Sequence, residues 1–454
     1  MPAVDKGDFS QGSVSRAILR LVVPMTLAQL VNVLYSLISK IYLARLPGVE
    51  HLALSGVGVT LPIIYIIMSV AALCGSGGGP LFAIARGKGD DDEAERIMGN
   101  AFTMLLFSGI VMTILVLIFR RPLLFLFGAS GDTFDFASEY LTFYSLGSLF
   151  VIITLGMNAF INAQGFGRIA MLTVVIGAVV NLVLEPIFIF VFGMGVRGAA
   201  LSTVIAQFCS AIWVMRFLTG KKAILRLKLS RMKLSAKRVR RILTMGLPGF
   251  TMITTTSLSQ IIANVMLQTH GGDMYIGIMS IINALREVII MPIFGLERGA
   301  SPVISFNFGA NKFERVRRAI KFKVSVTVLY ATFAWIMVML FPDTIMRIFS
   351  NDPELIAAGV PALRVYFAMF IFMSLQMASQ GIFLGLGRAK NAIFFALLRK
   401  AILVVPLMLI LPTLGMGTFG VFVAEPISQV IGGLACFGTM YFVVYKKLLR
   451  RDGI

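Results

Sequence analysis

Apolar residues run along this chain in blocks too long for strands and too uniform for helices with one wet face. Ala101 to Phe119 and Ile169 to Phe192 are apolar almost throughout. About 20 such residues at helical rise cross roughly 30 Å of hydrocarbon. Backbone polar groups in lipid must be satisfied internally, which leaves helices or a closed barrel. A barrel needs segments of about ten residues that alternate apolar and polar, and these blocks do not alternate. The pattern predicts helices spanning 21–38, 52–74, 101–119, 140–163, 169–192, 198–218, 242–267, 276–296, 324–341, 361–384, 393–414 and 418–445, twelve crossings in all.

Composition agrees and excludes a water-soluble domain: hydrophobic residues make up 58%, charged residues 14%, and the mean hydropathy is +0.90. The net charge of +20 raises nucleic acid as a partner, so the location of the cations matters. Most of the 41 Lys and Arg fall in the N-terminal segment, the connections that follow even-numbered spans, and the tail, as in KKAILRLKLSRMKLSAKRVRR at 221–241 and NKFERVRRAIKFK at 311–323. The opposite connections, near 195, 271 and 416, carry few. By the positive-inside rule both termini are expected in the cytoplasm, in a multi-pass protein of the plasma (inner) membrane. The basic stretches then lie against anionic membrane lipid, and no nucleic-acid partner is implied. Residues 1–15 are polar, with no apolar core before a cleavage site, so the first span is expected to be an uncleaved anchor.

Cys74, Cys209 and Cys436 are odd in number, isolated, and placed in apolar spans, which suits small core residues better than a disulfide or metal set. His51 and His270 fall in external connections without zinc-ligand spacing, so no metal site is expected.

Landmarks recur at an offset of 220 to 224 residues. Pro24 answers Pro248, Pro80 answers Pro302, Gly87 answers Gly309, and Gly165-Phe-Gly-Arg168 answers Gly385-Leu-Gly-Arg388. Pro186 then answers Pro406, Gly193-Met-Gly195 answers Gly415-Met-Gly417, and Gln207 answers Gln429. A duplicated unit with an even number of spans keeps its orientation. The expected fold is therefore an all-α integral membrane protein of twelve transmembrane helices, in two parallel six-helix bundles related by a pseudo-two-fold axis along the membrane normal. The expected divisions are an N-terminal lobe at 1–220, a cytoplasmic basic linker at 221–241 patterned like an interfacial helix, and a C-terminal lobe at 242–454. Rocking of such halves about a central cleft gives alternating access.

Carboxylates inside a span cost roughly 2.5 to 3.5 kcal/mol each on insertion scales and need a partner, a proton or a wet cavity. Glu185, Glu287, Glu297 and Glu425 all stand in or near spans. Glu185 lies deepest, in VVNLVLEPIFIF, with Asn181 one turn earlier on the same face. Pro186 follows and cannot donate to the carbonyl of Leu182, which leaves a polar, bendable spot beside the acid. Hydration or a nearby cation can load and unload a proton there; a permanently protonated structural hydrogen-bonder is the other reading. Arg286 and Glu287 project about 100° apart, and a structural ion-pair network accounts for them as well as a substrate site does. Glu297 and Arg298, near the cytoplasmic end, fit packing or gating, and Glu425-Pro426 is ambiguous.

LVNVLYSLISKIYLARLPG at 30–48, GKGDDDEAERIMGNAF at 87–102, NLVLEPIFIF at 181–190 and GLERGASPVISFNFGANKFERVRRAI at 295–320 resemble the multidrug and toxic compound extrusion (MATE) family, nearest its DinF-like bacterial branch. The acids that the NorM branch carries in its seventh and tenth spans are replaced here by Thr256 and Met373. The resemblance implies a secondary active antiporter that exports small, lipophilic, often cationic molecules in exchange for protons or sodium. It would work with no cofactor beyond the coupling ion, and as a monomer. Many relatives carry an acid in the first span where this chain has Ser39-Lys40. The implied ion-coupling residues are therefore Glu185, Asn181 and Glu287, and the implied substrate contacts Gln29, Asn32, Tyr35, Asn158 and Asn181. Each contact is equally readable as a helix-packing polar residue. A lipid-linked precursor flippase of the same superfamily is the alternative, and it calls for a more cationic cleft. A nucleotide-driven pump or an enzyme is not expected, because GSGGGP at 75–80 lacks the GK[ST] ending that holds a phosphate and fits close helix packing instead.

Overall fold

A computed structural model describes residues 9–43, 45–46 and 50–451. Among these all regular structure is helical and there is no strand. The helices of the first half are Val14–Leu43 (α1), Glu50–Gly87 (α2), Asp91–Leu126 (α3), Gly131–Leu146 (α4), Ser148–Ala163 (α5), Gly167–Pro186 (α6) and Gly195–Thr219 (α7). The second half has Ala236–Gly271 (α8), Asp273–Gly309 (α9), Phe313–Leu340 (α10), Pro342–Phe349 (α11), Pro353–Phe367 (α12), Phe370–Gly385 (α13), Ala389–Leu397 (α14), Val405–Leu411 (α15) and Gly417–Thr439 (α16).

Among the described residues, nine helical stretches are long and apolar enough to cross a membrane, and the bent pairs α4–α5 (55°) and α12–α13 (44°) bring the number to 11. One of the nine, Ala389–Leu448, is 60 residues long, far more than one crossing requires. It breaks at Gly415 (φ 91) and Gly417 (φ 53), and α16 packs back along Leu398–Val404. It is a hairpin of two spans, which makes twelve. Lipid-facing stripes follow helical spacing: Phe107, Ile110, Ile114 and Ile118 are all exposed along one side of α3.

Many helices start earlier than the hydropathy pattern predicts, because their polar first turns are capped. Asp90 accepts from the backbone N–H of Glu93 at 3.0 Å, ahead of an acidic first turn in α3 that suits the positive helix N-terminus. Ser130 and Thr133 form a reciprocal capping box on α4. At Pro186 the expected distortion takes the form of a π-helical turn at Ile187–Val191, a common way to absorb a missing donor.

Contacts group the described chain into two compact units that change over at Gly246–Leu247, inside α8, with Ser13–Ile18 joining the second unit. Of RMKLSAKRVRRIL at 231–243, the stretch patterned as a helix, the part from Ala236 is helical; before it the basic segment has a single 3-10 turn at Leu229–Arg231 and is latched onto the N-terminal unit by side chains that satisfy its backbone. Asn100 Nδ2 donates to the Lys233 carbonyl at 3.0 Å and its Oδ1 accepts from Ser235 N–H at 2.8 Å. Thr103 donates to the Met232 carbonyl at 2.9 Å, and Gln164 Oε1 accepts from Ile224 and Leu225. Lys228 pairs with Glu95 at 2.7 Å and Arg238 with Glu93 at 2.6 Å. These bonds compete with helix formation and win.

Each unit repeats one fastening. Asn158 Nδ2 on α5 donates to the Ala170 carbonyl of α6 at 3.2 Å, and Gln380 Nε2 on α13 donates to the Ala392 carbonyl of α14 at 3.4 Å. In the second unit Phe367, Phe370 and Phe422 centre the apolar core, and α13 meets α16 so closely that a Cβ on Gly433 would lie 2.4 Å from the Phe372 carbonyl oxygen. Gly433→Ala is expected to lower the stability of the purified protein by about 1 to 3 kcal/mol in thermal denaturation. Gly438→Ala, where a Cβ meets nothing within 4 Å, is expected to leave it unchanged.

Candidate functional site

Glu185 is fully buried in the N-terminal unit. Ser39 on α1 donates its hydroxyl to Glu185 Oε1 at 2.5 Å. Asn181 fits best with its amide nitrogen toward the acid, donating to Glu185 Oε2 at 2.8 Å, while its oxygen accepts from Thr203 N–H at 3.2 Å and Thr203 Oγ1 at 3.1 Å. Thr203 and Ser202 on α7 bond back to the Ala199 carbonyl. Tyr35 and Tyr140 lie within electrostatic reach of the acid, and the rings of Tyr140 and Tyr144 stack with centroids 6.1 Å apart. Three helices thus converge on one carboxylate, and the partners that hold it are neutral.

Asn181 and Tyr35, expected at the site, are brought to Glu185. Ser39 is the direct hydrogen-bond donor to Glu185. Gln29 is half-buried and Asn32 exposed on α1. Asn158 is occupied as a helix fastener: besides its bond to Ala170 it accepts from Thr173 at 3.3 Å. Glu287 belongs to the other unit and is exposed on α9.

A second polar cluster lies wholly within the C-terminal unit. Glu425 on α16 pairs with Lys400 and, at 3.3 Å, with Arg399, both on the π-helical segment Leu398–Val404; all three side chains are buried. Arg286 on α9 donates to the Tyr366 hydroxyl of α12 at 3.3 Å. Arg286, Tyr366, Lys400 and Glu425 line a narrow cavity of about 10 Å³ with Thr256, Ser259, Gln260, Ala263, Met279 and Met408. Arg399 and Lys400 escaped notice in the sequence although they stand mid-span at 393–414; the insertion cost that marks buried acids marks buried cations equally. A third buried cation, Lys323 on α10, sits beside Glu297. Its Nζ and Glu297 Oε1 lie 2.3 and 2.8 Å from where a Cβ on Gly381 would stand, so the glycine leaves them room.

The profile of the MatE family matches residues 24–187 and 248–410, one copy in each half. The chain belongs to the MatE family. Among curated relatives, the MatE chain is 26% identical over 441 residues to the multidrug export protein MepA of Staphylococcus haemolyticus (strain JCSC1435), covering 96% of this chain and 95% of that one. It is 27% identical, with the same coverage, to MepA of Staphylococcus saprophyticus. Among solved structures, a MATE transporter in its bent conformation superposes with a TM-score of 0.93 at 22% identity, covering 100% of both chains. An outward-facing multidrug resistance MATE transporter of the MOP superfamily superposes at 0.90, also with 22% identity, covering 99% of each. These likenesses establish the twelve-span fold of the MatE chain.

The Asn181–Glu185 contact makes a direct energetic prediction. Asn181→Leu leaves buried Glu185 Oε2 without its hydrogen-bond donor and is expected to cost about 1 to 3 kcal/mol in thermal denaturation. Combined with Glu185→Leu, the two losses are expected to be non-additive by at least about 0.5 kcal/mol in a double-mutant cycle.

Proposed function

We propose that this MatE protein is a secondary active multidrug efflux antiporter of the plasma (inner) membrane, exchanging protons or sodium for lipophilic, often cationic compounds by alternating access. The observation that carries the reading is Glu185, a fully buried acid held by the neutral donors Ser39 and Asn181. Neutral donors favour neither charge state as strongly as a fixed cation does, so a proton or a small cation can exchange at the carboxylate with little rearrangement. The π-helical turn after Pro186 gives the same helix a place to bend. The export of many drugs by the curated relatives supports the substrate class, and the family fold supports transport rather than enzymatic turnover. Gln29, Asn32, Tyr35 and Asn181 remain the proposed substrate contacts on and around α1, and Glu287 a second proposed coupling residue.

Moving one elementary charge across the whole membrane is worth about 2.3 kcal/mol per 100 mV, a bias of some fifty-fold on a two-state equilibrium. Cells expressing the protein are expected to accumulate less ethidium, and collapse of the ion gradients should abolish that protection; efflux that persists and tracks ATP would exclude the antiporter. Glu185→Gln keeps shape and hydrogen bonding but cannot ionise. It is expected to eliminate uphill ethidium efflux in proteoliposomes while the purified variant melts near the parent. Uphill efflux at the parental rate would make the acid structural, and transport of a lipid-linked precursor in place of ethidium would favour the flippase.

The cationic segment at 221–241 is proposed to lie in the cytoplasm. Lys237 is exposed on the first turn of α8. In a variant with Cys74, Cys209 and Cys436 replaced by serine, Lys237→Cys is expected to resist an impermeant maleimide in intact cells and react after permeabilisation. Labelling from outside would reverse the orientation.

A further inference from the structure

We propose that the cavity lined by Phe308, Leu386, Arg388, Val444, Lys447 and Leu448 in the C-terminal unit binds the phosphate group of an anionic phospholipid, from the leaflet on the side of the basic linker. Its volume is about 170 Å³, room for several waters and so for a phosphate headgroup, but not for a whole lipid. After α16 the last span runs through a π-helical turn at Met440–Tyr445 into Lys446–Arg451 (α17), which packs along α10. Val444, Lys447 and Leu448 turn to the cavity together, at i, i+3 and i+4. Arg388, half-buried, stands in the turn between α13 and α14, and Phe308 near the end of α9. The cavity thus lies where the eighth, tenth and twelfth spans end, with two cations at its wall and no carboxylate among the described residues that line it. Arg399 and Lys400 meet Glu425, whereas the side chains of Arg388 and Lys447 make no hydrogen bond or ion pair among the described residues.

The surroundings favour a lipid phosphate over a soluble one. One turn from the cavity Tyr441, Phe442 and Val443 are exposed, and Lys446 Nζ lies 4.7 Å from the centroid of the Phe442 ring. Exposed aromatic rings topped by a cation mark the headgroup level of a membrane protein, which sets the cavity at the depth of the lipid phosphates. Phe308, Leu386, Val444 and Leu448 give it an apolar wall suited to the glycerol and first acyl carbons. The duplication accounts for the open space. Arg388 N–H donates to the Phe383 carbonyl, and 222 residues earlier Phe166 N–H donates to the Ile161 carbonyl in the same turn. In that first-half turn Gln164 stands in place of Leu386 and draws in the backbone of Ile224 and Leu225, while Phe166 packs on Phe217 with centroids 5.1 Å apart. The second half has an aliphatic side chain and a cation at those two positions, and the place stays unfilled. The site lies within one unit and owes nothing to ion coupling at Glu185.

Native mass spectrometry of the full-length protein released from detergent micelles, with phosphatidylglycerol or phosphatidylcholine added, tests the assignment. A first phosphatidylglycerol is expected to stay bound at concentrations where phosphatidylcholine does not. Arg388→Gln combined with Lys447→Gln should weaken that binding about thirtyfold, from roughly fivefold per cation. Lys447→Gln alone, at an exposed position, should weaken it about fivefold and serves if the double variant does not fold. Lys321→Gln combined with Lys390→Gln removes the same charge from exposed positions outside the lining and should leave binding unchanged. Equal retention of phosphatidylcholine, undiminished binding in the Arg388 and Lys447 variants, an equal loss in the Lys321 and Lys390 variant, or displacement of the lipid by equimolar inorganic phosphate would overturn the site.

Discussion

Hydrocarbon offers no hydrogen-bond partner, and every polar group carried into a span of this protein has to find one inside the protein. That constraint decides where Ser, Thr, Asn and Gln stand. Thr113 bonds back to the Gly109 carbonyl of its own helix at 2.9 Å and crosses to Ser148 on α5, also at 2.9 Å. Ser210 on α7 donates to the Thr173 carbonyl of α6 at 3.0 Å, and Gln376 Nε2 on α13 to the Phe395 carbonyl of α14 at 3.0 Å. Such bonds add modestly to stability, by roughly 0.6 kcal/mol each on average in membrane proteins. Their larger effect is directional, because a side chain that must reach one particular carbonyl fixes the rotation of its helix.

The duplicated sequence makes the two halves comparable bond by bond. The amide fasteners Asn158–Ala170 and Gln380–Ala392 occupy positions separated by the same 222 residues. Tyr144 and Tyr366 obey that spacing too, and so do Thr203 and Glu425. In the first half Thr203 meets Asn181, which holds Glu185; in the second, Glu425 meets Arg399 and Lys400. Both halves therefore put their most costly polar contact between their fifth and sixth spans. They fill it differently, with a carboxyl among neutral partners in one and a carboxylate among cations in the other.

Span count, repeat and family were legible in the linear sequence because lipid imposes long apolar blocks and because glycine and proline, which keep backbone roles, held their spacing. Glu185 was legible for the same reason: an acid in VVNLVLEPIFIF has no cheap explanation. Its partner Ser39 was not, since a serine is inexpensive in a span and is read from sequence only as a missing acid. Asn158 looked like a cleft residue because its acceptor is a main-chain carbonyl, which composition cannot display. The latch of 221–235 was hidden for a related reason. Its cationic pattern suggests a surface helix, whereas Asn100, Thr103 and Gln164, far away in sequence, decide its backbone. Arg399 and Lys400 were visible in principle, and their ion pair with Glu425 required the third dimension only to identify the partner.

The contrast between the halves has a physical consequence for what each can do. Removing one member of a buried ion pair typically costs 3 to 5 kcal/mol, since the remaining charge is stranded. Glu425, held by Lys400 and Arg399, is therefore confined to one charge state and one position, and it anchors the cationic segment against α16. Glu185 carries no such penalty. Ser39 and Asn181 can turn their donors or acceptors with a change of rotamer, so protonation or cation binding at the carboxyl rearranges hydrogen bonds rather than breaking an ion pair. In the proposed antiporter, a change of charge there would reach α1 through Ser39 and α7 through Asn181 and Thr203. Under the proposed function, one half of the duplication holds charge in place and the other lets it change, through different residues on the fifth and sixth spans and, in the first half, Ser39 on the first span.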